Sequence, residues 1–170
     1  MLPGRSPAPL AHAPRLAVLI PAHNEALVIQ DTLAALMPQL VEGDRLIVIA
    51  DNCSDDTAAI ARSVGATVLE RQNRDQRGKG YALDFGLRSL DADPPDIVVM
   101  VDADCTLLPG ALRTIAQQAA QSQRPVQALY LMEQPPDPSA KDSVSALAFM
   151  VKNRVRPRGL QRLGLPCLLT

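Results

Sequence analysis

The segment of residues 95–104, PDIVVMVDAD, places the strongest constraint on the fold. Its apolar, β-branched centre lies between a proline and two acids, which is typical of a buried strand in a parallel sheet. If the strand stays extended, Asp102 and Asp104 point to the same side, because side chains alternate along a strand. The sequence therefore predicts two carboxylates at the carboxyl edge of a sheet, where open α/β folds bind their ligands.

A pair of neighbouring carboxylates has two interpretations. Like charges repel each other unless a cation lies near them, and hard oxygen ligands suit Mg²⁺ or Mn²⁺, with substrate phosphates completing the coordination. Alternatively, Asp102 and Asp104 are both solvated and cap the helix that follows. The motif alone leaves both interpretations open.

Strand and helix signals alternate along the rest of the chain. Apolar runs that predict further strands occur at residues 15–20, 44–50, 66–70 and 126–132. Helices are predicted at residues 25–39, 54–65, 80–90, 109–121 and 139–155, with Ser54 as an N-cap and Gly65 as a C-cap. This alternation predicts an α/β fold, with a mostly parallel sheet and helices on both faces.

Composition limits the classes of function. The chain has 170 residues and a formal net charge of −1, so it can form one domain with a real core, and nothing in its charge suggests a broad nucleic-acid-binding surface. Its three cysteines are dispersed, which argues against a zinc site or disulfide framework and is compatible with a reducing cytoplasm. No apolar run reaches the about 20 residues that span a membrane. We expect a disordered, proline-rich leader at residues 1–14 and one domain at residues 15–170.

Two common phosphate-binding motifs are absent from the places where they would be expected. The turn after the first strand, PAHNE at residues 21–25, has no Gly-x-Gly-x-x-Gly pattern, which disfavours a dinucleotide-binding fold. The sequence around Lys79 lacks the upstream glycine of a P-loop, which disfavours ATPase chemistry. Acids at strand ends and one basic loop remain as candidate functional groups.

Each of the remaining acids has a functional and a structural interpretation. Asp51, at the end of the second strand, can accept the ring N–H of a pyrimidine base or make an Asx-turn. His23 can bind a ligand or act as a solvated or capping residue. Glu25 lies in the first βα turn, at the expected topological switch point, although a helix dipole also favours a carboxylate there. Residues 55–56 are interpreted as acids that begin a helix.

Basic residues cluster in a glycine-containing loop before the third predicted helix, namely Arg71, Arg74, Arg77 and Lys79. Cations and free backbone N–H groups suit a diphosphate, and the glycines on either side of Lys79 let the backbone approach a ligand closely. The alternative is a solvated charged surface. A second basic cluster at residues 152–162 is also interpreted as a solvated face, with a membrane surface or another domain as alternatives.

Four motifs together resemble a known family. The segments IPAHNE (20–25), DNCSDDT (51–57), RGKGYAL (77–83) and VDAD (101–104) occur in the order and spacing typical of family 2 glycosyltransferases with the GT-A fold. The resemblance covers about residues 15–135. It implies a nucleotide-sugar donor, usually a UDP-sugar, and a divalent cation, Mg²⁺ or Mn²⁺, as cofactor.

The resemblance also implies roles for single residues. By this resemblance, Pro21, His23 and Glu25 line the nucleotide pocket, and Asp51 holds the base. Lys79 lies near the diphosphate, Asp102 lies near the ribose or the metal, and Asp104 binds the divalent cation. Members of the family also carry an acidic general base, typically in a Glu-Asp pair, and many membrane-bound members carry Gln-x-x-Arg-Trp. Neither motif occurs before Thr170, so we expect the amino-terminal, donor-binding part of an inverting enzyme, inactive alone, with its base beyond Thr170.

The expected partners are a nucleotide-sugar donor and a glycan or lipid-linked acceptor, without nucleic acid. The expected location is the cytoplasm or the cytoplasmic face of a membrane, with membrane association only through a missing carboxyl-terminal part. A sugar nucleotidyltransferase is an alternative, although it would normally show a glycine-rich loop with Arg or Lys after the first strand. A non-catalytic nucleotide-sugar-binding module and a plain doubly wound domain with capping acids also stay open.

Overall fold

The computed structural model describes residues 13–165, so all of the expected leader except its last two residues lies outside the described chain. The strands are Leu16–Ala22 (β1), Arg45–Asp51 (β2), Thr67–Arg71 (β3) and Ile97–Met100 (β4). The helices are Ile29–Leu36 (α1), Thr57–Ser63 (α2), Lys79–Arg88 (α3), Ala111–Ser122 (α4), Ala140–Met150 (α5) and Arg156–Arg162 (α6). None of the helices in residues 13–165 is both long and apolar enough to span a bilayer.

The four strands form one parallel sheet in the order β3-β2-β1-β4. The chain moves outward from β1 to β2 and β3, and then crosses back to place β4 on the other side of β1. This reversal is the topological switch point at which such sheets bind ligands beyond the carboxyl ends of their strands. The predicted α/β fold with a parallel sheet is confirmed.

Both faces of the sheet are covered by helices. Leu16, Val18 and Ile20 of β1 point to a core that contains apolar side chains of α1, α2 and α4. The alternate residues Ala17 and Leu19 point to the opposite core, which includes Ala82 of α3. Burial on both faces explains why the central strands β1 and β2 read as nearly continuous apolar runs. The edge strands β3 and β4 are partly exposed, so β4 is less buried than its sequence predicts.

Asp44 fixes the beginning of the sheet with an almost fully buried carboxylate. It accepts hydrogen bonds from the backbone N–H groups of Leu16 (3.0 Å) and Val41 (2.9 Å), and it forms an ion pair with Arg113 of α4. Burial lowers the pKa of Arg113 from its ordinary value. The start of β1 and helix α4 are therefore tied to the same carboxylate.

The described chain divides into two compact units between Arg124 and Pro125. The predicted strand at residues 126–132 is wrong, because this segment has no regular secondary structure and belongs to the second unit. Leu129 and Leu131 in this segment are about half exposed. An apolar run becomes a strand only when a sheet edge pairs with it, which the sequence alone does not reveal.

The second unit contains the predicted helix at residues 139–155, which continues through a π-helical turn into α6. A capping box begins α5, because the Ser139 side chain accepts a hydrogen bond from the Asp142 N–H and the Asp142 carboxylate accepts one from the Ser139 N–H. Hydrogen bonding to Ser139 lowers the pKa of Asp142. Tyr130 contacts Phe149 edge to face, with 5.6 Å between ring centroids.

Candidate active site

A cavity of about 680 Å³ lies at the carboxyl edge of the sheet, within the size range of small-molecule sites. It is bounded by the segments that follow β1, β2, β3 and β4. All seven predicted site residues line it, namely Pro21, His23, Glu25, Asp51, Lys79, Asp102 and Asp104. Because the carboxyl ends of parallel strands meet at one edge of the sheet, the cavity brings together residues up to 83 positions apart, from Pro21 to Asp104.

The loops after β1 and β2 are interlocked by polar contacts. His23 Nδ1 lies 2.7 Å from the carbonyl oxygen of Asp51, which can only accept, so this ring nitrogen donates. Asn24 adopts a left-handed backbone with φ 58°, and its side-chain oxygen accepts hydrogen bonds from the N–H and hydroxyl of Ser54. Ser54 is thus a loop link, and its predicted role as an N-cap is wrong because α2 begins three residues later. Gly65 lies just after α2 at φ 90°, as a C-terminal glycine should.

Asp55 joins the same two loops instead of beginning a helix as predicted. Its carboxylate accepts from the Ala26 N–H (3.1 Å) and from the Thr57 hydroxyl (2.5 Å), and that hydroxyl accepts from the Glu25 N–H (2.8 Å). Desolvation raises the pKa of Asp55, but the hydrogen bonds from Thr57 and Ala26 outweigh it and lower the pKa overall. The first helix begins at Ile29 and not at Glu25 as predicted, although the Glu25 carbonyl already accepts a hydrogen bond from the Ile29 N–H (3.0 Å).

Asp51 and Arg71 form a buried ion pair at the edge of the sheet. The two residues are register partners at the ends of β2 and β3, and Arg71 Nη1 lies 2.7 Å from Asp51 Oδ1. The side chains of Asp51 and Arg71 are 7% and 9% exposed, respectively. The Arg71 guanidinium is therefore the most buried cation in the site region. Arg71 is therefore the last residue of a strand, and its predicted place in the basic loop is wrong.

The loop at residues 72–78 carries the remaining basic residues to the cavity. Arg74 and Arg77 line the cavity, and Gly78 adopts φ 108°, a backbone region that favours glycine. Helix α3 begins directly afterwards, so its amino-terminal N–H groups and partial positive charge lie at this side of the cavity. Lys79 in the first turn forms an ion pair with Asp102.

The acids after β4 are brought together by a turn. The strand ends at Met100, and the Cys105 N–H donates to the Asp102 carbonyl (3.2 Å), so strand alternation is the wrong reason for their proximity. Ala103 between them is buried, and its carbonyl accepts from the Thr32 hydroxyl of α1 (2.7 Å). One ligand atom each of Asp102, Asp104 and Cys105 lies within 4.8 Å of the others. Two carboxylates at this separation fit a hard divalent cation such as Mg²⁺ or Mn²⁺.

Several cavity residues were missed by sequence reasoning. Cys53 is the clearest, since its thiol donates to the Ala22 carbonyl (3.4 Å) and accepts from the Asn24 N–H (3.5 Å). Desolvation by burial raises the pKa of Cys53, and the hydrogen bond with Asn24 offsets this only in part. Asn52 and Gln72 also line the cavity. The available signal was their position directly after predicted strands, but polar residues there are usually ordinary turn residues.

Comparison with known proteins identifies the family. A family model described as Glycosyl transferase family 2 matches residues 17–161. The chain therefore belongs to glycosyl transferase family 2, as the resemblance of its four motifs predicts.

Individual relatives match part of this chain and a smaller part of their own length. The probable glycosyltransferase YdaM of Bacillus subtilis (strain 168) is 36% identical over 101 residues, which are 55% of this chain and 23% of YdaM. Glucosyl-3-phosphoglycerate synthase of Mycobacterium tuberculosis is 38% identical over 96 residues, which are 52% of this chain and 28% of the synthase. The chain thus spans about a quarter of the length of these relatives.

A solved structure supports the fold class. The mannosyltransferase PcManGT from Pyrobaculum calidifontis, in complex with GDP-Man and Mn²⁺, superimposes with a TM-score of 0.53 at 24% identity. The match covers 81% of this chain and 39% of PcManGT. The GT-A-like fold prediction is confirmed.

Proposed function

We propose that this chain binds the nucleotide-sugar donor of an inverting glycosyltransferase, a UDP-sugar, together with Mg²⁺ or Mn²⁺. The observation that carries the proposal is the convergence of three groups on one cavity. These groups are the carboxylate pair Asp102 and Asp104, the basic loop that leads into α3, and Asp51 at the end of β2. A nucleoside diphosphate presents the matching chemistry, with a base at one end and a dianionic phosphate at the other.

The base of the donor is assigned to the loops after β1 and β2. Asp51 is the acceptor for a ring N–H, and Pro21, His23 and Glu25 form the adjacent wall of the nucleotide pocket. Interlocking of the two loops supports this assignment, because it fixes the wall before the ligand arrives. A preformed wall reduces the entropy that ordering the loops would cost on binding.

The diphosphate is assigned to the start of α3, where N–H groups and cationic side chains favour an anion. Lys79 and Asp102 already form an ion pair, so Lys79 is held at the carboxylate side of the cavity. Asp104 and Asp102 would hold the divalent cation, with Asp102 also near the ribose. A cation bound there would act as a Lewis acid on the leaving diphosphate.

Transfer requires an acceptor hydroxyl that attacks the anomeric carbon from the face opposite the diphosphate, while a base takes its proton. The cavity carboxylates Glu25, Asp51, Asp102 and Asp104 are all assigned to the donor or the cation. We therefore assign residues 15–170 to donor binding, and we place the general base outside them and expect little turnover by this chain alone. The acceptor is a glycan or a lipid-linked molecule, and the reaction belongs to the cytoplasm or its membrane face.

Calorimetric titration of UDP and UMP into the 170-residue chain, with and without Mn²⁺, tests the proposal. UDP should bind more tightly with Mn²⁺ than without it, and UMP should gain less because it lacks the second phosphate. Equal binding of UDP and UMP, or UDP binding that ignores the metal, would contradict the proposal. Substantial sugar transfer by this chain alone would contradict the placement of the base.

A further inference from the structure

We propose that Arg71 is a positioning residue that makes Asp51 selective for bases with a ring N–H. We also propose that it couples Asp51 to the loop at residues 72–78, which leads to the diphosphate side of the cavity. This inference rests on the proposed function. Arg71 does not line the cavity itself, whereas Asp51 does. Arg71 therefore acts through the groups that it holds.

The two oxygens of Asp51 have different surroundings. Oδ1 accepts hydrogen bonds from Arg71 Nη1 (2.7 Å) and from Asn52 Nδ2 (3.0 Å). Among residues 13–165, no group donates to Oδ2. The guanidinium thus fixes the carboxylate through one oxygen and leaves the other oxygen as the acceptor for a ligand in the cavity.

The strand register determines which side chain does this. Asp51 and Arg71 are direct partners in the parallel pair of β2 and β3, so both project from the same face of the sheet. Arg71 Nη1 and Asn52 Nδ2 both donate to this carboxylate, which therefore acts as a hydrogen-bond acceptor. An ionised carboxylate can only accept hydrogen bonds, so it favours a ligand atom that carries a proton.

This property discriminates between bases. Uracil presents an N–H at ring position 3, and guanine presents an N–H at ring position 1. Cytosine and adenine present lone pairs at the corresponding ring nitrogens, which a carboxylate oxygen repels. A site built around an oriented carboxylate should therefore select UDP over CDP, which differ at this end of the base and share the same diphosphate.

Arg71 also holds the loop that leads to the diphosphate side. Its Nη1 donates to the backbone carbonyl of Gln76 (2.7 Å), and its Nη2 lies 3.4 Å from the Gln76 side-chain oxygen. The guanidinium carbon lies 5.8 Å from the ring centroid of Tyr81 in α3. One side chain thereby connects the base acceptor, the loop at residues 72–78 and the helix that begins at Lys79.

A purely structural role for Arg71 makes a different prediction. A buried ion pair at a sheet edge affects stability when one partner is removed, because the other charge is left buried. Such a loss of stability would lower the affinity for all ligands by the same factor. A change in the ratio of UDP to CDP affinity is therefore the readout that separates positioning from mere stabilisation.

The experiment is calorimetric titration of UDP and CDP with Mn²⁺ into wild type, Arg71→Gln, Arg71→Lys and Arg62→Gln. We expect wild type to prefer UDP by about tenfold or more, and Arg71→Gln to reduce this preference to about threefold or less. Lysine keeps the charge beside Oδ1 but lacks the fork that also reaches Gln76, so Arg71→Lys should keep the preference while both affinities fall. Arg62→Gln removes an exposed ion pair with Glu70 and should change the affinity for neither ligand.

Thermal unfolding of each variant shows whether it is folded. If Arg71→Gln does not fold, Arg71→Lys tests whether Arg71 couples Asp51 to the loop at residues 72–78. Affinities of Arg71→Lys for UDP and CDP that equal those of wild type would overturn this coupling. An unchanged ratio of UDP to CDP affinity in folded Arg71→Gln would overturn the proposed role of Arg71 in base selectivity. If wild type binds neither nucleotide, the proposed function fails and this inference fails with it; if wild type binds UDP and CDP equally, only the inference fails.

Discussion

Asp55 illustrates how a single carboxylate can join two loops of the candidate site. In the sequence it resembles an acid at a helix start, yet its oxygens accept from Ala26 and Thr57, so it links the segments after β1 and β2. The link depends on ionisation, because a protonated carboxyl group accepts these hydrogen bonds less well. Loop geometry, which the sequence does not specify, creates this role.

Replacement of Asp55 by alanine should therefore destabilise the protein in a pH-dependent way. We expect a loss of about 1 kcal/mol near neutral pH, since hydrogen bonds to an exposed carboxylate contribute modestly. The folded pKa of Asp55 is lowered, so its contribution is complete above the unfolded pKa of about 3.9 and disappears as the pH falls through the folded pKa. Thermal unfolding of both proteins from neutral to acidic pH measures this, and a constant difference throughout would contradict it.

The thiol of Cys53 is a second residue whose chemistry depends on its surroundings. Burial raises its pKa, so less of the reactive thiolate is present at a given pH than in the unfolded chain. Alkylation of Cys53, followed by peptide mass spectrometry, should be slower in the folded protein at pH 8 and should accelerate above that pH. Because Cys53 lines the cavity, UDP with Mn²⁺ should slow the reaction further. Alkylation as fast as in denaturant would contradict the first expectation.

At the scale of secondary structure, the contact between α3 and the sheet depends on a small residue. A Cβ placed on Gly86 would lie 2.9 Å from Cδ1 and 3.0 Å from Cγ1 of Ile49, closer than ordinary side-chain contacts. Ile49 is fully buried, so it has little space into which to move. The glycine therefore sets how closely α3 packs on β2.

Gly86→Ala should destabilise the protein by about 1–2 kcal/mol, because overpacking outweighs the gain in helix propensity. Gly80→Ala is the matched control, since the same helix has nothing within 4 Å of a Cβ at that position. The control should be neutral or stabilising by up to about 1 kcal/mol. Urea unfolding of both variants measures the two effects, and equal stabilities of Gly86→Ala and wild type would contradict the close packing.

The strands are the elements that the sequence predicts best, since all four occur close to their predicted positions. The central strands β1 and β2 are buried, as their apolar runs predict, whereas the edge strands β3 and β4 are partly exposed. Helix α1 begins at Ile29, four residues later than predicted, because residues 25–28 form a turn at the cavity edge before the regular helix. The segment at residues 126–132 has strand-like composition but no ladder, because pairing depends on a partner and not on propensity alone.

At the scale of the whole molecule, the sequence predicts which residues meet, because the carboxyl ends of parallel strands lie at one edge of the sheet. Asp51, Asp102 and Asp104 reach one cavity because each follows or ends a strand of the same sheet. The partners of these residues were less predictable. The ion pair of Asp51 with Arg71 requires the register of β2 and β3, and the proximity of Asp102 and Asp104 requires a turn stabilised from outside by Thr32.

The affinity for UDP as a function of Mn²⁺, in wild type and Asp104→Asn, tests the central claim most directly. The matched control is Asp84→Asn, because Asp84 is an exposed acid of α3 that forms a surface pair with Arg88. We expect wild type and Asp84→Asn to bind UDP more tightly when Mn²⁺ is present, and Asp104→Asn to lose about tenfold or more of that metal-dependent affinity while it stays folded. Metal-dependent UDP binding that persists unchanged in Asp104→Asn would contradict a donor site built on the acids after β4.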